Sequence, residues 1–415
     1  MSLVEQVRRR LLDHRQLLSN LAWQGVAQLG ARVLNLAIFV LIANALGANG
    51  LGHFVFAVTF AQAAGVFVDF GMHPILVREA VKGEAWGLFR TFSRLKLLLS
   101  LVVGAMALGV SAFLFGHRGH EALGIALGLA AIFGLSYLGL LFSLFRARQE
   151  MAYEALFTFL HRLSYFVLAL AALTAWSTAN GVLAAYAASG LLTAIVVQAF
   201  AVRRYAQRDS QPVPVDRALL GQIVPLLLID FSTLIYFRVD ALLLRVLKDY
   251  TEVGVYSAAY RLFEALIIAP SVLAIAFFPR LVKDVTRPAR RKNVRTYFLW
   301  FVVLGVLGAG LLYALSGPIV HLLYGSRDDY AASASIFRLL LVAFVIVCVN
   351  YPLTQIAVAS GRQKEYALGT VVAGLVNIGL NLVAIPRYGA MGAAAVTIAT
   401  ELSLFFFMRG QLKEV

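Results

Sequence analysis

Long apolar runs, broken at intervals by short polar stretches, set the pattern of this chain. Twelve runs stand out, at residues 18–43, 52–77, 95–115, 122–145, 155–175, 181–202, 219–245, 253–279, 296–321, 332–358, 365–385 and 389–409. With a rise of ~1.5 Å per residue, each is long enough as an α-helix to cross hydrocarbon roughly 30 Å thick. In lipid the backbone must satisfy its own hydrogen bonds, which makes helices of these runs. The first run is not uniformly apolar. Gln24, Gln28, Arg32 and Asn35 lie at offsets of 0, 4, 8 and 11, within an arc of about 80° on one side of a helix. An arginine at mid-depth costs roughly 2.5–3.5 kcal/mol or more unless it faces protein or water. The stripe is therefore expected to face an enclosed, solvated interior built by the other helices.

Composition agrees with the pattern: 61% of the 415 residues are hydrophobic and 14% charged, where soluble domains carry about a quarter charged. The net charge of +15 first suggests a nucleic-acid partner, but its distribution argues otherwise. In alternate connections, 27 of the 36 lysines and arginines fall on one side and five on the other. The positive-inside rule then places both termini in the cytoplasm. The densest basic cluster, Arg280 to Arg295, reads as a topology determinant and a contact for anionic lipids. No nucleic acid is expected. The basic start, with Arg8, Arg9, Arg10 and Arg15, looks like a signal peptide, and Ala43-Asn44-Ala45 like a cleavage site. The apolar stretch is too long and carries Arg32, so an uncleaved first helix is expected. The single cysteine, Cys348, excludes a disulfide framework and a cysteine zinc site.

A shift of 202 residues lays LGHFVFA (51–57) over VGVYSAA (253–259), pairing Gly52 with Gly254, Phe54 with Tyr256 and Ala57 with Ala259. This repetition implies two six-helix halves in parallel orientation, with a binding site between them. The predicted fold is all-α: a polytopic membrane protein of about 12 transmembrane helices in two pseudo-symmetric lobes around a central cavity. Its parts are a cytoplasmic N-terminal segment 1–17, an N-lobe 18–202, a cytoplasmic linker 203–218 with Pro212 and Pro214, a C-lobe 219–409 and a tail 410–415.

Charges and amides inside the spans mark candidate chemistry. Asp69 of the second span lies about 12 Å deep and shares a face with Gln62. Either it pairs locally with an arginine or it handles a ligand or ion. The seventh span carries Asp230, Arg238 and Asp240, and the eighth Arg261 and Glu264. Arg261 and Glu264, three apart, can pair with each other; Asp240 or Glu264 is expected to neutralise one arginine while another meets an anionic ligand. Thr370, Asn377 and Asn381 share a face of the eleventh span, the asparagines suited to interhelical hydrogen bonds. Glu401 in the last span must be paired or protonated. Pro225, Pro270 and Pro352 bend their helices. His53, His73, His161 and His321 fall at span ends as interfacial residues, without the spacing of a metal site. Neither a phosphate-cradling glycine loop nor a Ser/His/Asp set is present, so no enzyme and no cofactor is expected.

Several strings together resemble a known family. They are LIANALGANGLGHFVFA, VDFG (68–71), LVRE (76–79), LFRARQEM (144–151), YFRVDALLL with VGVYSAAYRLFEAL (236–266), LLYG (322–325) and NIGLNLVAIPRYGAMGAAAVTIATE (377–401). The set resembles the Wzx-type oligosaccharide flippases of polysaccharide biosynthesis, within the superfamily that also holds multidrug extruders and lipid II flippases. The resemblance implies alternating access that carries a polyprenyl-pyrophosphate-linked glycan from the cytoplasmic to the outer leaflet. It also implies coupling to a proton or sodium gradient and work alongside polysaccharide polymerase machinery. By the same resemblance, Arg32 and Arg261 fit a central cationic cavity, with Arg238 beside Asp240 in an R-x-D stretch. Asp69 and Arg78 fall in its D-x-G…R-E motif. Arginine suits pyrophosphate oxygens. The competing reading is a cation-coupled multidrug or metabolite exporter of the same fold.

Overall fold

The computed structural model describes residues 3–80, 85–116, 119–206, 217–284, 290–325 and 327–411. Side chains of 3–29, of 279–293 and of several positions between 217 and 229 fall outside that description. The expectations for Gln24 and Gln28, for most of the 203–218 linker and for most of the Arg280–Arg295 cluster thus lie outside the described residues. Twelve α-helices follow one another: α1 (Leu3–Asp69), α2 (Met72–Ala80), α3 (Ala85–Phe115), α4 (Gly119–Ala147), α5 (Met151–Ala175), α6 (Ala179–Tyr205), α7 (Arg217–Leu247), α8 (Tyr250–Leu266), α9 (Ile268–Asp284), α10 (Arg290–Tyr324), α11 (Ala331–Ala359) and α12 (Gln363–Gln411). A 3₁₀ turn, Asp328–Tyr330, precedes α11. Among the described residues there is no strand, and nine helical stretches are long and apolar enough to cross a membrane. Two of these are double spans. α1 breaks at Gly47 (φ 70°) and α12 at Gly389 (φ 55°), left-handed positions that favour glycine. The chain divides into two compact units, residues 1–42 with 60–230 and residues 43–59 with 231–415.

In the first unit, α4 and α6 pack closely through small residues. Gly124, Gly128 and Gly134 are buried along α4, and a Cβ on Gly124 would meet Asn180 Oδ1 of α6 at 2.7 Å. An aromatic cluster closes one end. Phe145 is surrounded by Tyr153, Phe157, Phe200 and Tyr205 with ring centroids 5.9–6.1 Å away. Glu150, just ahead of α5, accepts hydrogen bonds from Arg204 (2.7 Å) and from the Tyr205 hydroxyl. The Arg204 guanidinium holds its carboxyl below the usual carboxylate range. This contribution is present above the unfolded carboxyl's pKa and lost as pH falls through the lowered value.

Two helical segments start or break where the apolar pattern did not indicate it. α3 begins at Ala85, ten residues before the apolar run. Residues 85–94 are amphipathic: Trp86, Leu88, Phe89 and Phe92 are buried while Arg94 is exposed. The second span breaks between α1 and α2, where Phe70 (φ 43°) and Gly71 (φ 63°) both take left-handed conformations. For phenylalanine that conformation costs about 1–3 kcal/mol, so the surroundings must hold it. A second break, at Ile267, separates α8 from α9 and falls three residues before Pro270.

In the second unit the turn at Gly47 is capped from both sides. Arg327 donates to the carbonyls of Asn44 (2.9 Å) and Ala45 (2.8 Å), and the Tyr330 hydroxyl donates to that of Ala43 (3.1 Å). Asp329 accepts from the Ala48 N–H at 3.3 Å, at the start of the next helical stretch. These groups satisfy orphan carbonyls and an orphan amide of the two helix ends. The turn at Gly389 is treated alike: Glu252 accepts from the Ala390 N–H at 2.6 Å. Beyond Gly47 the chain meets α8 at van der Waals distance. A Cβ on Gly52 would fall 1.7 Å from the Tyr250 carbonyl oxygen, and one on Gly254 would fall 1.8 Å from that of Ala48. Asn49 donates to Thr251, 202 residues on, at 3.3 Å. The same 202-residue shift carries Ala48 to Tyr250 and Gly52 to Gly254, so the contact is reciprocal. The repeat read in the sequence is thereby a repeat of contacts.

Gly52→Ala and Gly254→Ala are each expected to destabilise the protein by about 1–3 kcal/mol, the cost of overpacking. Gly310→Ala, with nothing within 4 Å of its Cβ, serves as the neutral comparison. Thermal unfolding of the detergent-solubilised proteins checks this; equal midpoints for all three would refute it.

Candidate functional site

The embedded charges of the second unit sort into three groups. In the first, Arg238 of α7 and Arg261 of α8 share one carboxylate. Glu264 Oε1 lies 2.8 Å from Arg238 and Oε2 lies 3.2 Å from Arg261. All three side chains are partly exposed, between 23 and 32%. Two guanidiniums, each a planar fork of N–H donors, thus converge on the two oxygens of one carboxylate. The i,i+3 pair expected of Arg261 and Glu264 is present, and Arg238 joins it.

Asp240 does not neutralise an arginine, contrary to one of the two expected arrangements. Two residues from Arg238, it points to another environment, as the helical period requires. It is buried and accepts from the Tyr256 hydroxyl (2.7 Å) and Asn381 Nδ2 (2.6 Å). Asn381 also donates to Asn377 Oδ1 (2.9 Å), and Asn377 donates to Thr400 Oγ1 (3.1 Å). One polar chain thus joins α7, α8 and both arms of α12, and the asparagines make interhelical hydrogen bonds. Glu401 forms the third group, accepting from the Tyr236 hydroxyl and from Asn350 Nδ2 (2.9 Å). Among the described residues neither Asp240 nor Glu401 has a cation within ion-pair distance. Arg338 lies apart from all three, donating to Ser316 Oγ at 2.6 Å over the Tyr313 ring.

In the first unit Arg32 is exposed and Asn35 half-buried, and among the described residues no carboxylate pairs with Arg32. Asp230 is exposed as well. Arg78 meets Glu79 at 3.2 Å and is not joined to Asp69. Of the two alternatives for Asp69, the local pair with an arginine is not seen among the described residues: its cation is Lys96, whose Nζ lies 2.7 Å from Asp69 Oδ1. Lys96 also contacts His73 Nε2 (2.9 Å), Ser136 Oγ (2.7 Å) and the Ser136 carbonyl (2.9 Å). Lys96, the second residue of the apolar run 95–115, is 1% exposed. The placement of histidines is corrected too. His73 belongs to this cluster, and His161 is buried, 3.5 Å from Ser189. Sequence reading missed Lys96, Ser136, Tyr236, Tyr256 and Asn350. The available signal was the amphipathic stretch 85–94, which carries α3 back from Lys96. Among the described residues, no three His, Cys, Asp or Glu side chains gather as a metal site.

The helical arrangement is shared with transporters of the MOP superfamily. Among solved structures, the lipid II flippase MurJ in an inward closed conformation superposes with a TM-score of 0.74 at 12% identity, over 94% of this chain and 87% of that one. An inward-facing multidrug resistance MATE family transporter gives 0.67 at 17% identity, over 92% and 95%. A MOP superfamily transporter from Pyrococcus furiosus gives 0.57 at 15% identity, over 95% and 93%. No curated relative matches the sequence. Residues 17–285 match the family described as polysaccharide biosynthesis protein, and the chain belongs to that family.

Removing the Asp240 carboxylate leaves the Tyr256 hydroxyl and an Asn381 N–H without their acceptor, at about 1–3 kcal/mol per buried group. Asp240→Ala is expected to lower the unfolding midpoint markedly, and Asp230→Ala, at an exposed position, to leave it near the native value. Thermal unfolding in detergent reads both; an unshifted Asp240→Ala midpoint would contradict this assignment.

Proposed function

We propose that this chain is a flippase that moves a polyprenyl-pyrophosphate-linked oligosaccharide from the cytoplasmic to the outer leaflet for surface polysaccharide synthesis. The observation that carries the reading is the Arg238–Glu264–Arg261 cluster, where two guanidiniums inside the spans share a single carboxylate. Two arginines brought together in this way suit a diphosphate, whose oxygens take paired N–H donors from arginine. Arg32, with Gln24, Gln28 and Asn35, adds a second cationic stripe on the first helix. Family membership and the flippase and transporter neighbours support movement of a solute across the membrane in place of catalysis.

In this reading the chain resides in the cytoplasmic membrane of a bacterium or archaeon, termini inward, its basic face on anionic lipids. It hands its cargo to polymerase machinery and draws on a proton or sodium gradient. A second reading, cation-coupled export of drugs or metabolites, is favoured by Asp240 and Glu401, two buried carboxylates whose donors are amides and tyrosines. We assign those carboxylates to coupling and the arginines to cargo.

Arg238→Ala, Arg261→Ala and Arg32→Ala are each expected to reduce surface glycan at least tenfold at unchanged protein level, the worth of one charge-assisted contact. Lysine at the same positions restores export in part. Quantitation of surface glycan in a strain lacking the native gene checks this. Full export by all three variants, or drug tolerance conferred on an exporter-deficient host, moves the assignment to the second reading.

A further inference from the structure

One buried ionisable cluster has no part in the cargo reading. We propose that Asp69, His73, Lys96 and Ser136 form a proton-exchange site in the first unit, with His73 Nε2 as the atom that takes up and releases the proton. Asp69 is here given its proton-handling partners, Lys96 and His73.

The contacts around Lys96 suit one resting state, in which the three donors are shared among its neighbours. An ammonium has three N–H donors, and four acceptors lie within 2.9 Å of Lys96 Nζ: Asp69 Oδ1, His73 Nε2, Ser136 Oγ and the Ser136 carbonyl. A charged lysine donates only, so His73 turns a bare Nε2 toward it and carries its own hydrogen on Nδ1. Ser136 Oγ accepts from Lys96 and passes its hydrogen to Asp69 Oδ1. Carboxylate, ammonium and neutral imidazole sum to zero charge, which a site with a 1% exposed lysine requires.

A proton delivered by water to Nε2 converts that atom from acceptor to donor. Two new acceptors already stand near it, the Ser136 carbonyl at 3.2 Å and Asp69 Oδ1 at 3.5 Å. The ammonium at 2.9 Å becomes a like charge facing it and must withdraw. Asp69 and His73 are 33% and 27% exposed, so the imidazole is the accessible side of the cluster, while Lys96 is sealed. The other charges facing the cluster are Arg146 of α4, itself bound to Glu154 at 2.6 Å, and Asp230 of α7.

The site also bridges a break in the chain. Asp69 ends α1 and His73 lies in α2, on either side of the left-handed Phe70–Gly71 pair. Lys96 and Ser136 clamp both sides. Exchanging the Lys96–His73 contact for a His73–Asp69 or His73–carbonyl contact changes what holds the angle of that break. Gly71 transmits the change, since its Cβ position is 2.9 Å from Leu226 Cβ of α7. A proton and a helix angle are thereby linked within one unit.

Only the use made of the proton rests on the transport reading; its binding is measured without any carried lipid. Full-length protein in nanodiscs with ¹⁵N-labelled histidine is titrated by NMR from about pH 3 to about 9, a range that extends well below that of a free imidazole. The His73 signal is the one absent from His73→Gln. A single protonation step is expected in the native protein. Lys96→Met raises its proton affinity at least tenfold by removing the adjacent cation, and Asp69→Asn, nearly isosteric, lowers it at least tenfold. If Lys96→Met does not fold, Asp69→Asn carries the decision. An Nε2 that stays in one state across the range in every variant, or a midpoint unmoved by the folded variants, overturns the proposal. Arg261→Ala separates the two readings: it is expected to abolish export and leave this titration in place. Unaffected export with an intact titration refutes the cargo assignment and leaves the proton site standing.

Discussion

A charge held among membrane-spanning helices has to be answered by its neighbours, and how it is answered decides what it can do. Isolated charges at mid-depth cost several kcal/mol. Three answers appear here. Asp69 is met by an ammonium, Arg238 and Arg261 by one shared carboxylate, and Asp240 and Glu401 by amide and hydroxyl donors. The first pairs a carboxylate with an ammonium, the second shares one carboxylate between two guanidiniums, and the third sets its carboxyl groups among neutral donors with no cation within ion-pair distance among the described residues.

The spans were legible because their length follows from bilayer thickness, and the repeat because Gly52 and Gly254 are forced by contact. Both glycines must let a carbonyl oxygen approach within a distance no side chain allows. The Gly47 and Gly389 turns were readable as short connections, yet the helical hydrogen bonding runs nearly through them. Features that depend on partners far along the chain were not legible. Lys96 sits at the edge of an apolar run, where local reading assigns it to the basic connection. Only the packing of Trp86, Phe89 and Phe92 carries α3 back far enough to bury it. Hydropathy likewise does not signal a left-handed Phe70, because the segment stays apolar on both sides of the break.

The candidate site shows the same division. Spacing alone paired Arg261 with Glu264 and separated Arg238 from Asp240, since two residues along a helix point to different sides. It did not show which carboxylate Arg238 would meet, nor that Asp240 would be held by Tyr256 and Asn381. Those choices belong to how α7, α8 and α12 pack. Asp240 and Asn381 are 141 residues apart, and no local window relates them.

Asp240 and Asp69 are held in different ways. Asp240 is buried and accepts an O–H from Tyr256 and an N–H from Asn381, which ties α7 to α8 and α12. At Asp69 the cation is already present as Lys96, and an arriving proton changes which nitrogen the carboxylate serves without leaving it unpaired. The Asp69–Lys96 pair lies at the Phe70–Gly71 break, so its contacts and the angle of that break are set together.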